Sequence, residues 1–227
     1  MIDQQLQDTA VAERLLRALA EQLKSPLLNI SYQAELNQPQ ALADIGTQSA
    51  RALHLIDTYL LSIHQQELQL EPVSVSSVLY DVAQALYPLA RQHNCQVEIS
   101  VAGKYGPVMA NQKNLETALV TIGQSLIEAD TNNHPKLVLS TYKNQKGIAA
   151  GVFGNHPLLT PDMFRRALDL FGTARQPLPS ASALNAAGLY MADALLVSMD
   201  SRLQVARHHK LNGLAASLVP SAQLQLV

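Results

Sequence analysis

Apolar residues recur at three- and four-residue spacing over roughly residues 9–36, at Val11, Leu15, Leu16, Leu19, Leu23, Leu27, Ile30 and Ala34. That spacing lays them along one face of a helix. Asn37, Gln38 and Pro39 interrupt the pattern, and a second stripe follows through Leu42, Ile45, Ala52, Leu53, Ile56, Leu60 and Ile63. The prediction is a hairpin of two helices, each about 40 Å long at about 1.5 Å per residue. Two helices alone leave half of their apolar stripes in water. Pairing with a second copy into a four-helix bundle is therefore expected, through Leu19, Leu23, Ile56, Leu60 and their neighbours. Pro26, inside the first helix, removes one backbone hydrogen bond and predicts a bend beyond its midpoint.

Glu71 and Pro72 close the second helix, and the texture then changes to alternating elements. Ser74 to Ser77 offer capping side chains ahead of a helix containing Val78, Leu79, Val82, Leu86 and Leu89. Residues 96–101 alternate as a strand does, with Val97, Ile99 and Val101 on one face. A helix through Leu115, Leu119, Ile122, Leu126 and Ile127 follows, then strands over 136–142 and 147–153 joined by a turn at 143–146. A short helix around 163–170 leads into a proline-bearing loop. A further helix over 182–197 precedes closing strands at 203–206 and 214–219. The fold class is thus α+β: a two-helix hairpin over 1–70 that forms a dimeric four-helix bundle, then an α/β sandwich over 71–227.

Sixteen basic and eighteen acidic residues give a formal net charge of -2, with no long basic run. Nucleic acid and anionic membrane surfaces are disfavoured as partners on that balance. A single cysteine, Cys95, excludes an intramolecular disulfide and a cysteine metal cluster, and reads as a small buried apolar residue in a reducing compartment. No run approaches the roughly 18 apolar residues of a membrane span, and the first residues lack a signal-like pattern. A cytoplasmic protein without membrane insertion is expected.

Several segments, in order, resemble the core of two-component sensor histidine kinases. Ala20-Glu21-Gln22-Leu23-Lys24-Ser25-Pro26-Leu27 is similar to the family's histidine box, Ser-His-Glu-Leu-Arg-Thr-Pro-Leu, with Pro26 as the kinking proline. Glu71 to Val75 resembles the start of the ATP-binding domain, and Asn111 to Leu115 with Val120 to Leu126 resembles the helix of the asparagine box. Val152 to Asn155 resembles the strand end of the first glycine box. Asn185-Ala186-Ala187-Gly188-Leu189 resembles the second, and 202–205 and 213–220 resemble the closing strands. The resemblance spans nearly the whole chain through order and spacing.

The chemical residues depart from it. A histidine kinase needs an imidazole to accept phosphate, an adjacent carboxylate and an ATP cradle. The acceptor position here is Glu21, and its acidic neighbour has become Gln22. The family's magnesium-binding asparagine falls at Ser125 and the other box asparagine at Thr121; serine is a shorter, weaker ligand for a hard cation. The adenine-binding aspartate falls at Gly154, which has no side-chain acceptor. Glycines that admit phosphate become His156, Leu158 and Ala186, leaving Gly188 alone from the second box. The resemblance therefore implies a non-catalytic, dimeric, pseudokinase-like signalling or scaffold protein, with no cofactor and no metal. Its implied partners are a second copy and a response regulator or sensor kinase.

An alternative keeps phosphorelay chemistry: Gln22 and Ser25 as a phosphatase pair acting on a response regulator, or His54 as a relocated phosphotransfer histidine. Counting back from the hairpin turn puts His54 at the height of Glu21, where a salt bridge could form. Against these stand plainer readings, with Glu21 on a solvated face and His54 and His64 flanking the apolar stripe. The run Arg207-His208-His209-Lys210 reads as a polar turn. His208 and His209 have no carboxylate or cysteine close in sequence to complete a metal site.

Overall fold

The computed structural model describes residues 2–36, 41–63, 68–101, 103–130, 135–156, 159–170 and 185–222. The expectations for His64, Leu158, the hairpin turn and the proline-bearing loop lie outside them.

The two apolar stripes form helices α1 (Ile2–Leu36) and α2 (Ala41–Ile63). At about 1.5 Å per residue they span about 52 and 35 Å. α1 begins before the predicted stripe, over a segment in which glutamine and leucine are good helix formers. It runs through Pro26, which is buried. Leu15 and Ala18 of α1 and Ala52 and Leu55 of α2 are buried.

The remaining elements are β1 (Glu71–Val73), α3 (Val75–Gln92), β2 (Gln96–Val101), β3 (Val108–Ala110), α4 (Gln112–Ala129), β4 (Lys136–Asn144), β5 (Gly147–Gly154), α5 (Pro161–Leu170), α6 (Ala186–Val197), β6 (Gln204–His208) and β7 (Leu211–Leu218). Five strands make one mixed sheet in the order β2-β4-β5-β7-β6, with β2 parallel to β4 and the other neighbours antiparallel. β1 and β3 pair separately, Glu71 opposite Ala110. The pattern did not anticipate that pair, since three-residue strands carry too few alternations.

Three helices start on side-chain caps that satisfy otherwise unpaired amides. Ser74 Oγ accepts from the Ser77 amide, Asn111 Oδ1 from Asn114 and Asn185 Oδ1 from Gly188. α3, α4 and α6 bury Leu79, Leu86, Leu119, Ile122 and Leu196 against Leu139, Val152 and Leu214 of the sheet. A Cβ on Gly123 would collide with Leu86 Cδ1, so the bare backbone there lets α3 and α4 approach.

The basic run 207–210 is not a four-residue turn. Arg207 and His208 belong to β6, and only His209 and Lys210 turn the chain. The His208 ring lies 5.3 Å from Phe153 and 6.4 Å from Tyr142, beside a second small cluster of Val138, Phe153 and Ala215. His208 is half-buried because the strand's alternation puts it on the sheet face that carries this small cluster, while Arg207 is exposed. β7 likewise starts at Leu211 rather than at 214. The architecture is α+β, a helical hairpin followed by an α/β layer. Among the described residues no helix is long and apolar enough to cross a membrane.

Candidate functional site

Four positions in the segments that resemble the kinase boxes, Gln22, Thr121, Ala186 and Gly188, lie where the hairpin meets α4 and α6. Thr121 and Ser125 lie one turn apart on α4, both nearly inaccessible. The Thr121 hydroxyl donates to the Thr117 carbonyl at 2.9 Å, and the Ser125 hydroxyl to the Thr121 carbonyl at 2.9 Å. Both hydroxyls are thereby turned back on their own helix.

His54, on α2, places Nε2 3.2 Å from Thr121 Oγ1. Since that hydroxyl already donates to Thr117, the imidazole Nε2–H is the donor here. Burial pushes the His54 pKa below the ordinary histidine value and Lys113 adds to the shift, while Asp57 opposes it. His54, which could have formed a salt bridge with Glu21 or flanked the stripe without a role, is bonded into the α/β layer. Glu21 is exposed on α1, as is Ser25.

Gln22 is half-buried and accepts a hydrogen bond at Oε1 from Asn185 Nδ2. Asn185 also caps α6, whose first residue is Ala186 and whose buried Gly188 donates its amide to the cap. A Cβ on Gly188 would lie 3.2 Å from Asn185 Nδ2. One side chain therefore joins the segment that resembles the second glycine box to the residue beside Glu21. From the sequence Asn185 was only the first residue of the segment resembling the second glycine box, although an asparagine immediately before an apolar helix is a readable cap signal.

At the far end, Gly154 closes β5. A Cβ there would lie 2.8 Å from His156 Nε2, so the histidine ring stands where an aspartate at 154 would project. His156 Nε2 is buried with no hydrogen-bond partner among the described residues. Burial lowers its pKa, against the pull of Asp130, which favours a neutral ring.

A further pair went unremarked in the sequence. Arg51 of α2 grips Glu128 of α4 in two contacts, Nη1 to Oε1 at 2.6 Å and Nη2 to Oε2 at 2.8 Å. Burial raises the Glu128 pKa, and outweighs the opposing pull of the Arg51 charge. No cluster of three or more histidine, cysteine or acidic side chains suited to a metal occurs among the described residues.

No family profile and no curated protein matches the sequence. Solved structures do match in shape. Histidine kinase ThkA, in its complex with the response regulator protein TrrA, aligns with a TM-score of 0.61 at 12% identity, over 94% of this chain and 63% of that one. Acinetobacter baumannii histidine kinase AdeS gives 0.57 at 15% identity, over 92% and 98%. A bacterial phosphotransferase gives 0.54 at 12% identity, over 92% and 96%. Hairpin and α/β layer are both within these alignments, and the chain has the fold of a histidine kinase core.

Proposed function

We propose that this chain is a non-catalytic signalling or scaffold protein built on the histidine kinase core, with a hairpin domain over 1–70 and a nucleotide-site remnant in the domain over 71–227. One observation carries the reading: the positions that resemble the asparagine and glycine boxes hold groups that bond within the protein. Thr121 is bonded by His54, Ser125 by its own helix, and Asn185 beside Ala186 by Gln22. Restoring nucleotide chemistry would require breaking these bonds as well as replacing side chains.

The outward faces support partner binding. Leu53, Ile56, Leu60 and Ile63 follow one face of α2 at 38–63% exposure. They suit a second copy packed as a four-helix bundle. Leu19 and Leu23, also expected in that interface, are partly buried against the cluster that holds Ala187 and Met191 of the same chain. On the Glu21 side of α1, Leu28 and Tyr32 are 69% and 59% exposed. Seven and eleven residues beyond Glu21 they share its face, and they suit a response regulator or a sensor kinase. The ThkA–TrrA complex, which has this fold, supports a response regulator as that partner. A cytoplasmic site of action accords with such partners.

Phosphatase action through Gln22 and Ser25, or phosphotransfer through His54, is the weaker reading, since Gln22 Oε1 and His54 Nε2 are both engaged by the α/β layer. Titration of the full chain with magnesium and ATP tests the main reading. Losing a hydrogen-bond partner to a charged group costs roughly 1.5 to 3 kcal/mol, and each 1.4 kcal/mol is about tenfold in affinity. Affinity in the millimolar range or weaker is expected; a micromolar constant would overturn it.

A further inference from the structure

The hairpin and the α/β layer share a seam of mixed chemistry. Leu15, Ala18 and Leu55 from the hairpin and Ala187 and Met191 from α6 form one cluster, each at most 3% exposed. Three polar pairs cross between the same two parts: Gln22 with Asn185, His54 with Thr121 and Arg51 with Glu128. The last is largely shielded, at 17% and 23% side-chain exposure.

Domains that slide or swing on each other usually meet through polar, wetted contacts, whereas a desolvated apolar centre resists separation. Separating these parts would leave Leu15 and Met191 in water. It would also strip Glu128 of the cation that offsets its burial. The polar pairs add direction to the apolar grip, because each fixes one point of the hairpin against α4 or α6.

We propose that the hairpin is a permanent built-in occupant of the α4–α6 face, held by Arg51, His54 and Met191, and that it couples the two layers into one cooperative unit. The inference rests on reading that face as the remnant of a nucleotide cleft. A protein so coupled transmits a bend or a bound partner at the hairpin directly to the α/β layer, since neither part opens without the other.

Two single-tryptophan reporters in the full chain test it: Tyr32→Trp on α1 and Tyr80→Trp on α3, at side chains 59% and 58% exposed. Urea unfolding is followed by tryptophan fluorescence in each. The expected result is one shared midpoint, as all-or-none unfolding requires. The same reporters are then placed with the paired change Arg51→Ala and Glu128→Ala, and separately with Met191→Asp; the two midpoints should now part. Different midpoints with the seam intact would overturn the proposal. So would coincident midpoints with the seam broken, because the contacts would then not be the coupling. If Met191→Asp does not fold, the paired alanine variant decides alone. Nucleotide titration of the unaltered chain tests the underlying reading separately, so the two can fail independently.

Discussion

His54 Nε2 stands 3.2 Å from Thr121 Oγ1, so a side chain of the hairpin bonds the α4 residue at the position resembling a nucleotide-box asparagine. The bond joins residues 67 apart in sequence and belongs to a neutral imidazole, because burial and Lys113 both disfavour the cation.

That depressed pKa has a sign. A base whose folded pKa lies below its unfolded value contributes stability that is present above the unfolded value and lost as pH falls toward the folded one. The loss attributable to His54 should begin near the ordinary value of 6.5 and continue downward. Melting temperatures across pH for the wild type and for His54→Gln should converge as pH drops below that point, since His156 and His208, also depressed, are common to both. A gap that stays constant across pH would show that His54 is not the titrating group.

The seam should carry measurable stability. Met191 is fully buried between the layers, and truncating a buried side chain of that size to alanine typically costs about 2 to 5 kcal/mol. Leu28, at 69% exposure, should change stability by no more than about 0.5 kcal/mol when truncated in the same way. Chemical denaturation of Met191→Ala and Leu28→Ala compares them directly; equal losses would mean that the two faces are assigned wrongly.

Periodicity made α1 readable, because Leu15 sits in a stripe that one helical face must bury; on α2 the stripe through Leu53, Ile56, Leu60 and Ile63 is exposed, and the buried Leu55 lies outside it. Alternation made β2 readable. What covers those stripes was not readable. α6 is apolar nearly all round, with Ala187, Leu189, Met191, Ala192, Leu195 and Leu196 buried, so no single face announces that it meets the hairpin. Gln22 and Asn185 are 163 residues apart, and each alone is an ordinary polar residue near a helix. Order along the chain carried the resemblance to the boxes, but only the folded arrangement supplies the bonds that Thr121, Ser125 and Gln22 make.

The exposed face of α2 yields a test of self-association. Ile56 and Leu60 are 38% and 43% exposed and lie one turn apart. Light scattering of the wild type at micromolar concentration should give the mass of a dimer, and Ile56→Asp with Leu60→Asp should give a monomer. The charges would be buried without partners at the bundle centre, and a symmetric interface suffers each loss twice. Leu19→Ala should disturb stability more than association, because Leu19 packs within its own chain.

Restoring the acceptor by Glu21→His separates one lost residue from a dismantled site. The flanking Leu23, Lys24, Ser25, Pro26 and Leu27 still resemble the working box, so loss of the acceptor alone would make the reversion productive. No self-phosphorylation is expected. The neighbouring carboxylate is absent, and Gln22 in its place is bonded to Asn185. The ring of His156 crowds Gly154, the hydroxyls of Thr121 and Ser125 donate to backbone carbonyls, and His54 holds Thr121 from the hairpin side. Catalytic groups that act as a unit are strongly non-additive, so one repair among several losses recovers almost nothing. Incubation of Glu21→His with radiolabelled ATP and magnesium should leave acid-labile label at the wild-type background. Label above it would mean that the α/β layer still binds nucleotide and presents its phosphate to α1, and the non-catalytic reading would have to be abandoned.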